Sequence, residues 1–163
     1  MHKIDFEKIF LENKDKIWHL ISKYVYLKED KEDLFQEIFI NIHKALPKFR
    51  SASTIETWIY KITVNTAINY IRKQKRYKWV ISIFGNLRAT EHAKESEKNE
   101  TQILKLLDKL NPQQRMILLL SDIEEKKLGE IAKIMKMPIG TIKSNLHRAR
   151  QILKKSLLEK GSE

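Results

Sequence analysis

Residues 128–150 read LGEIAKIMKMPIGTIKSNLHRAR, and this stretch decides the fold. Apolar residues recur at helical spacing on both sides of a break at Lys136, Met137 and Pro138. Ile131, Ile134 and Met135 should face inward on the first short helix, and Ile142 and Leu146 on the second. Ala132 is small where two crossing helices must approach closely. Two short amphipathic helices across a tight break form a helix-turn-helix pattern. The outer side of the second helix carries Thr141, Lys143, Ser144, Asn145, His147 and Arg148. These side chains can hydrogen-bond base edges and phosphates in a major groove. No acid lies between Glu130 and Glu159, whereas Lys133, Lys136, Lys143, Arg148, Arg150, Lys154 and Lys155 do. Such an uninterrupted positive surface is what counterion release from DNA requires. A basic helical hairpin that merely keeps the chain soluble would look the same in composition.

Helical periodicity continues outward from this motif. Asn111-Pro112-Gln113-Gln114 offers an N-cap, a proline at the first helical position and a glutamine at the third. Ile103, Leu104, Leu106, Leu107 and Leu110 form an apolar stripe before it. Near the N-terminus, Phe6, Ile9, Phe10, Ile17, Leu20, Ile21 and Tyr24 fit one face of a helix. Leu34, Phe35, Ile38, Phe39, Ile42 and Leu46 fit another, ending before Pro47. Ser53-Thr54-Ile55-Glu56 reads as a capping box that starts a long helix with Tyr60, Val64, Ile68 and Ile71 on one side. There is no strictly alternating run and no internal repeat. The expected fold is all-α: two small helical domains, residues 1–80 and 103–163, joined by a flexible linker over 81–102. Trp79, Val80, Ile81, Ile83 and Phe84, around the start of that linker, could dock on the first domain or on a partner.

Composition narrows the function. The chain has 163 residues, 42% of them apolar, with four Gly, three Pro and no Cys. A packed core is feasible, and disulfides, thiolate metal sites and cysteine nucleophiles are excluded. Charges interrupt every candidate membrane-spanning stretch, so a soluble cytoplasmic protein without membrane insertion is expected. The net charge of +11 draws the chain toward polyanions. That charge is uneven: residues 1–77 carry +5, residues 78–102 carry zero and residues 103–163 carry +6. No Walker loop, G-x-G-x-x-G or H-E-x-x-H is present, and the five histidines lack metal-ligand spacing. The expectation is a binding protein, not an enzyme, with no metal and no cofactor.

Two N-terminal features remain. Residues 29–37, EDKEDLFQE, are locally acidic on a basic chain, and Asp33, Gln36 and Glu37 share a side by i, i+3, i+4 spacing. An acidic helix face suits a basic protein partner, although acids also favour a helix start for dipole reasons alone. Residues 57–77 carry Lys61, Arg72, Lys73, Lys75 and Arg76 and no acid, interleaved with Trp58, Tyr60, Tyr70 and Tyr77. Aromatics beside cations can stack on unpaired bases. Most of these aromatics could equally be core, and for Trp58 or Tyr60 taken singly core is the better reading.

The string EDLFQEIFINIHKALPKFRSASTIETWIYKITVNTAINYIRKQKR resembles region 2 of the bacterial sigma superfamily. The string LLDKLNPQQRMILLLSDIEEKKLGEIAKIMKMPIGTIKSNLHRARQILKK resembles region 4. Their order and the short linker resemble the compact extracytoplasmic-function (ECF) type. The resemblance spans roughly 28–77 and 107–155. It implies a subunit that binds core RNA polymerase and directs it to promoter DNA, and it adds an anti-sigma factor as a partner. Asp33, Leu34, Gln36 and Glu37 stand at the family's polymerase-binding motif. Phe49, Arg50, Ser51 and Ser53 fall in the loop that captures a base of the minus-ten element. Trp58, Lys61 and Asn65 match the helix lining the melted strand, and Arg72, Lys73 and Arg76 the grip on upstream duplex. Thr141, Lys143, Ser144, Asn145, His147 and Arg148 fall on the helix reading the minus-thirty-five element.

Three departures bear on this. Lys136 stands where the family usually has glycine, and a left-handed non-glycine residue costs roughly 1–2 kcal/mol, so a differently built turn is expected. Asn145 stands where arginine is common, which shifts pairing from guanine toward adenine. Residues 124–129 lack the usual aromatic entry to the motif. The rival reading is a stand-alone helix-turn-helix repressor, which would bind DNA without polymerase and usually as a dimer.

Overall fold

The structure is a computed structural model that describes residues 5–25, 27–84 and 105–160, with side chains to Tyr77 before the gap and to Glu159 at the end. Three helices make the N-terminal lobe: α1 (Phe6–Tyr24), α2 (Lys28–Ala45) and α3 (Ile55–Phe84). The C-terminal lobe includes, among the described residues, helical residues 105–107 and then α4 (Pro112–Leu118), α5 (Leu128–Met135) and α6 (Ile139–Lys160). No strand occurs among the described residues, and the all-α fold in two helical lobes stands.

The apolar stripes pack as their spacing predicts. Ile9, Ile17, Leu20, Ile21 and Tyr24 of α1 are buried against Leu34, Ile38, Phe39 and Ile42 of α2. Edge-to-face rings join the two helices: Phe10 meets Phe39 at 4.7 Å and Trp18 meets Phe35 at 5.5 Å. A short 3-10 turn, Leu46–Lys48, carries Pro47 and ends α2. The start of α3 differs from the expected box by one residue. Thr54, not Ser53, is the cap: its hydroxyl accepts the Thr57 N–H at 3.3 Å, and no glutamate completes the pair. α3 continues as helix to Phe84, so residues 81–84 of the expected linker are helical in backbone. Residues 85–102 of that linker, and the side chains of Trp79 to Phe84, lie outside the described residues.

In the C-terminal lobe the Asn111 cap forms as read. The Asn111 carboxamide oxygen accepts the Gln114 N–H at 2.8 Å, and Gln114 accepts the Asn111 N–H at 3.1 Å. A π-helical turn over Leu119–Ile123 follows α4, which the sequence pattern does not announce. The α5 start is closed by the Glu130 carboxylate, which accepts the Lys127 N–H. Lys136 corrects the expectation of a differently built turn: its φ is 53° and ψ 46°, so it is left-handed without being glycine. The Met137 N–H closes on the Ala132 carbonyl at 3.0 Å, and this bonding offsets the local cost.

α3 is three-sided, and this organises the molecule. Ile59, Thr63, Thr66 and Tyr70 (i, i+4, i+7, i+11) face α2, where Asn41 bonds Thr66 and Asp30 accepts from Tyr70. Tyr60, Ile71 and Lys75 lie toward the C-terminal lobe. Trp58, Lys61, Asn65, Arg72 and Arg76 form the third side, partly or fully exposed.

Candidate nucleic-acid and polymerase interfaces

On α2, Asp33 and Gln36 are exposed and Glu37 is partly exposed. Ile40, half exposed one turn on, extends that face. Leu34, expected among the polymerase contacts, is fully buried. Its side chain belongs to the lobe's core and can only hold the acidic face in place. Glu37 also pairs with Lys73 of α3 at 3.6 Å. Lys73, expected on the DNA-facing stripe, therefore sits at the α2 edge of α3. Asp30 is a hub that the sequence did not mark: it accepts from the Tyr70 hydroxyl at 3.0 Å and from Gln74 at 2.6 Å. Burial, and then the bond to Asp30, push the Tyr70 phenol pKa upward.

The loop before α3 exposes Arg50 and Ser51 and half-buries Phe49 and Ser53. Ser51 is left-handed, with φ 54°. The Phe49 and Trp58 rings lie 5.1 Å apart, tilted by 53°. An aromatic pair is thus placed beside a strained polar loop, with Lys61, Asn65, Arg72 and Arg76 continuing the surface along α3. Stacking and backbone charge are what a single strand needs. Tyr60 is not part of this surface. Its ring faces the Lys126 ammonium at 4.5 Å, and burial pushes its phenol pKa upward.

On the C-terminal lobe, Ile142, Leu146 and Ala149 of α6 are buried, as are Ile131, Ile134 and Met135 of α5. Opposite that ridge lie Gly140, Ser144, His147 and Gln151, at i, i+4, i+7 and i+11, flanked by exposed Lys143 and Arg148. Thr141 and Asn145 are half-buried at the margin. The Thr141 carbonyl accepts both the Ser144 hydroxyl, at 3.0 Å, and the Asn145 amide, at 2.9 Å. Asn145 keeps one N–H and its carbonyl oxygen, the donor and acceptor that match the N7 acceptor and N6 amino donor of adenine. Gly140 and Gln151 were missed by sequence reasoning. Counting turns from Ile142 and Leu146 finds Gln151. The same count places Gly140 on that side, where a Cβ would meet nothing within 4 Å. Arg150, counted with the free cations, is held by Asp122 at 2.6 and 3.2 Å. That bond lowers the Asp122 carboxyl pKa and raises the Arg150 guanidinium pKa.

Comparison with known proteins places this arrangement. Residues 9–77 match the family model for Sigma-70 region 2, and residues 100–153 the model for Sigma-70, region 4. The RNA polymerase sigma factor YlaC of Bacillus subtilis is 30% identical over 169 residues, which span 99% of this chain and 97% of the relative. The ECF RNA polymerase sigma-E factor of Escherichia coli is 30% identical over 161 residues, 91% of this chain and 84% of the relative. The sigma factor RpoE of Bartonella quintana, solved with the anti-sigma factor NepR, shares the fold with a TM-score of 0.67. It is 24% identical, with 94% of this chain and 96% of that one covered.

The chain belongs to the RNA polymerase sigma factors of the ECF type. It binds core RNA polymerase and directs promoter-specific initiation of transcription. No helix among the described residues is long and apolar enough to cross a membrane.

Proposed function

We propose that the two DNA-facing stripes and the α2 face divide the work of initiation among named residues. Asp33, Gln36 and Glu37 dock a basic helical surface of core polymerase, with Ile40 as an apolar anchor inside a polar rim. Phe49, Arg50, Ser51 and Ser53, with Trp58, Lys61 and Asn65, hold the strand-separated minus-ten element. Unstacking a base costs a few kcal/mol, offset here by ring contact and backbone charge. Arg72 and Arg76 hold the adjoining duplex, and Lys73 joins them once Glu37 is engaged elsewhere. Thr141, Lys143, Ser144, Asn145, His147 and Arg148 read the minus-thirty-five element, with Gln151 added. The reactive chemistry resides in polymerase, and this chain supplies recognition alone. The observation that carries the reading is the coexistence of an acidic exposed α2 face with two separate basic stripes on one small chain.

The Bartonella quintana relative is recorded with an anti-sigma factor, and an inhibitory protein of that kind is proposed as a partner here. Family membership favours a polymerase subunit over a free-standing repressor. Gel filtration with sigma-free bacterial core RNA polymerase tests the docking face. Co-elution lost in an Asp33→Ala/Glu37→Ala double variant that keeps its melting temperature is expected. Co-elution unchanged in that variant would move the docking site off α2.

A further inference from the structure

The first turn of α6 carries an apolar side chain that the core does not take up. Ile139 opens that helix and is 48% exposed. The apolar residues before and after it behave differently: Met137 packs against the buried cluster and Ile142 is fully buried within it. Among the described residues, Ile139 belongs neither to that cluster nor to its half-buried fringe. Its setting is cationic, since no acid lies between Glu130 and Glu159 and Lys133, Lys136 and Lys143 are all exposed. An isoleucine in such a surface adds nothing to solubility or to phosphate binding.

The backbone that carries Ile139 is fixed on both sides. Left-handed Lys136 ends α5, and the Met137 N–H closes on the Ala132 carbonyl. Pro138 holds its own φ, and its carbonyl accepts the Ile142 N–H at 3.1 Å, which closes the first turn of α6. A β-branched side chain in a helix has one strongly preferred rotamer. Ile139 thus presents its methyl groups in one place before any ligand arrives, and little side-chain freedom is lost on contact.

The same turn can approach DNA closely. A helix with its side chains is about 10–12 Å across, and the major groove is about 12 Å wide. The leading side chains therefore set how deep the helix sits. Here they include Gly140, Thr141 and Ser144, all small, and a Cβ at Gly140 would meet nothing of the protein within 4 Å. A recognition helix meets base edges with its N-terminal residues. Among the groups that base pairs display in the major groove, the thymine C5-methyl is the apolar one.

We infer that Ile139 is a specificity-determining residue of the promoter complex: its side chain packs on the C5-methyl of one thymine and selects a T·A pair at that position. The inference rests on the reading that α6 enters the major groove of the minus-thirty-five element. It adds a kind of recognition that the polar set on α6 cannot provide. Lys143, Ser144, Asn145 and His147 offer hydrogen bonds, and uracil presents the same O4 acceptor as thymine. Only an apolar contact distinguishes the two bases.

Holoenzyme assembled from core polymerase and this chain is first used to select the tightest-bound duplex from a pool randomised over the minus-thirty-five element. Each thymine of that element is then replaced singly by deoxyuridine, which removes the methyl and leaves the hydrogen-bonding edge intact. At one thymine the wild-type holoenzyme should lose about fourfold in affinity, the worth of one buried methyl group. Ile139→Ala should bind the thymine and deoxyuridine duplexes equally, and Ile139→Val, which keeps the branched Cβ, should retain most of the difference. A wild-type protein indifferent to every such replacement overturns the inference without recourse to a variant. A thymine preference that survives in Ile139→Ala also overturns it, and moves the methyl contact to Thr141, the other methyl-bearing side chain of that turn. Enriched bases with no thymine among them overturn the Ile139 assignment alone. A selection that enriches no base in the element defeats the reading of α6 itself, and the inference with it.

Discussion

On α3 the exposed stripe is the third side of a helix whose other two sides are buried, one against α1 and α2, the other against the helix-turn-helix lobe. On α6 the exposed stripe backs onto a single ridge of Ile142, Leu146 and Ala149. The residues differ in kind as well. The α3 surface is aromatic and cationic, with Phe49 and Trp58 in contact beside a strained Ser51. The α6 surface is small and polar, centred on Gly140, Ser144, His147 and Gln151. Rings and charges suit an opened strand, which offers faces to stack on. Short polar side chains suit a closed duplex, which offers only edges. A stripe on α3 is therefore sensitive to anything that moves either lobe, whereas the α6 stripe depends on its own lobe alone.

The largest expected effect breaks the first of these surfaces from beneath. Leu34→Ala empties a fully buried position behind the acidic α2 face. It should cost about 2–5 kcal/mol of stability, read as a lowered denaturant midpoint. Polymerase binding should fall in proportion to unfolding. Ile40→Ala, on the exposed side of the same helix, should leave the midpoint unchanged and weaken polymerase binding directly. Equal midpoints for the two variants would show that Leu34 is not a structural residue.

Gly140→Ala sharpens the contrast from the other side. Glycine in a helix costs roughly 0.5–1 kcal/mol relative to alanine, and a Cβ at Gly140 would touch nothing in the protein. The substitution should raise thermal stability. If the duplex approaches the bare backbone at this point, promoter affinity of the holoenzyme should nevertheless fall about tenfold. Gly129, at the same position of α5 and equally open, serves as the control, and its alanine variant should keep full affinity. Loss of affinity in both variants alike would remove the special role of Gly140.

How much of this was legible follows from how local each signal is. The helix-turn-helix reads directly from 128–150 because its buried residues, Ile131, Ile134, Ile142 and Leu146, meet within one short segment. The cap at Asn111 reads equally well, since both hydrogen bonds span three residues. Thr54 displaced Ser53 as the α3 cap because two adjacent hydroxyl residues offer the same chemistry, and the helix start selects between them. Lys136 was misread because propensity counts only the local cost of a left-handed residue, and the Met137 bond to Ala132 offsets it. Lys73, Tyr60 and Arg115 illustrate what pattern cannot supply. Each is a residue of surface type or ambiguous type, and its place is set by a partner 36 to 91 residues away in sequence.

A smaller effect distinguishes cations that face DNA from those that face protein. Lys143→Ala should reduce the slope of log affinity against log salt by about 1, as loss of one phosphate contact does. Arg150→Ala should change it less, because Asp122 already holds that guanidinium. Slopes lowered equally by both variants would place Arg150 on the phosphates and dissolve the distinction.

The smallest effect is the Asp122–Arg150 pair itself. It ties the π-helical turn to α6 across the lobe. The side chains are 35% and 57% exposed, so solvent screening limits the pair to about 1 kcal/mol at most. Its pH dependence has a definite sign. The hydrogen bond from Arg150 lowers the folded-state pKa of Asp122. The stabilisation is therefore complete above the ordinary carboxylate pKa and is lost as pH falls through the lower folded value. Asp122→Asn should abolish that part of the acid dependence and leave stability near neutrality slightly reduced. A difference between the wild-type and Asp122→Asn proteins that grows with acidification would reverse the sign and place the carboxyl in an environment that resists ionisation.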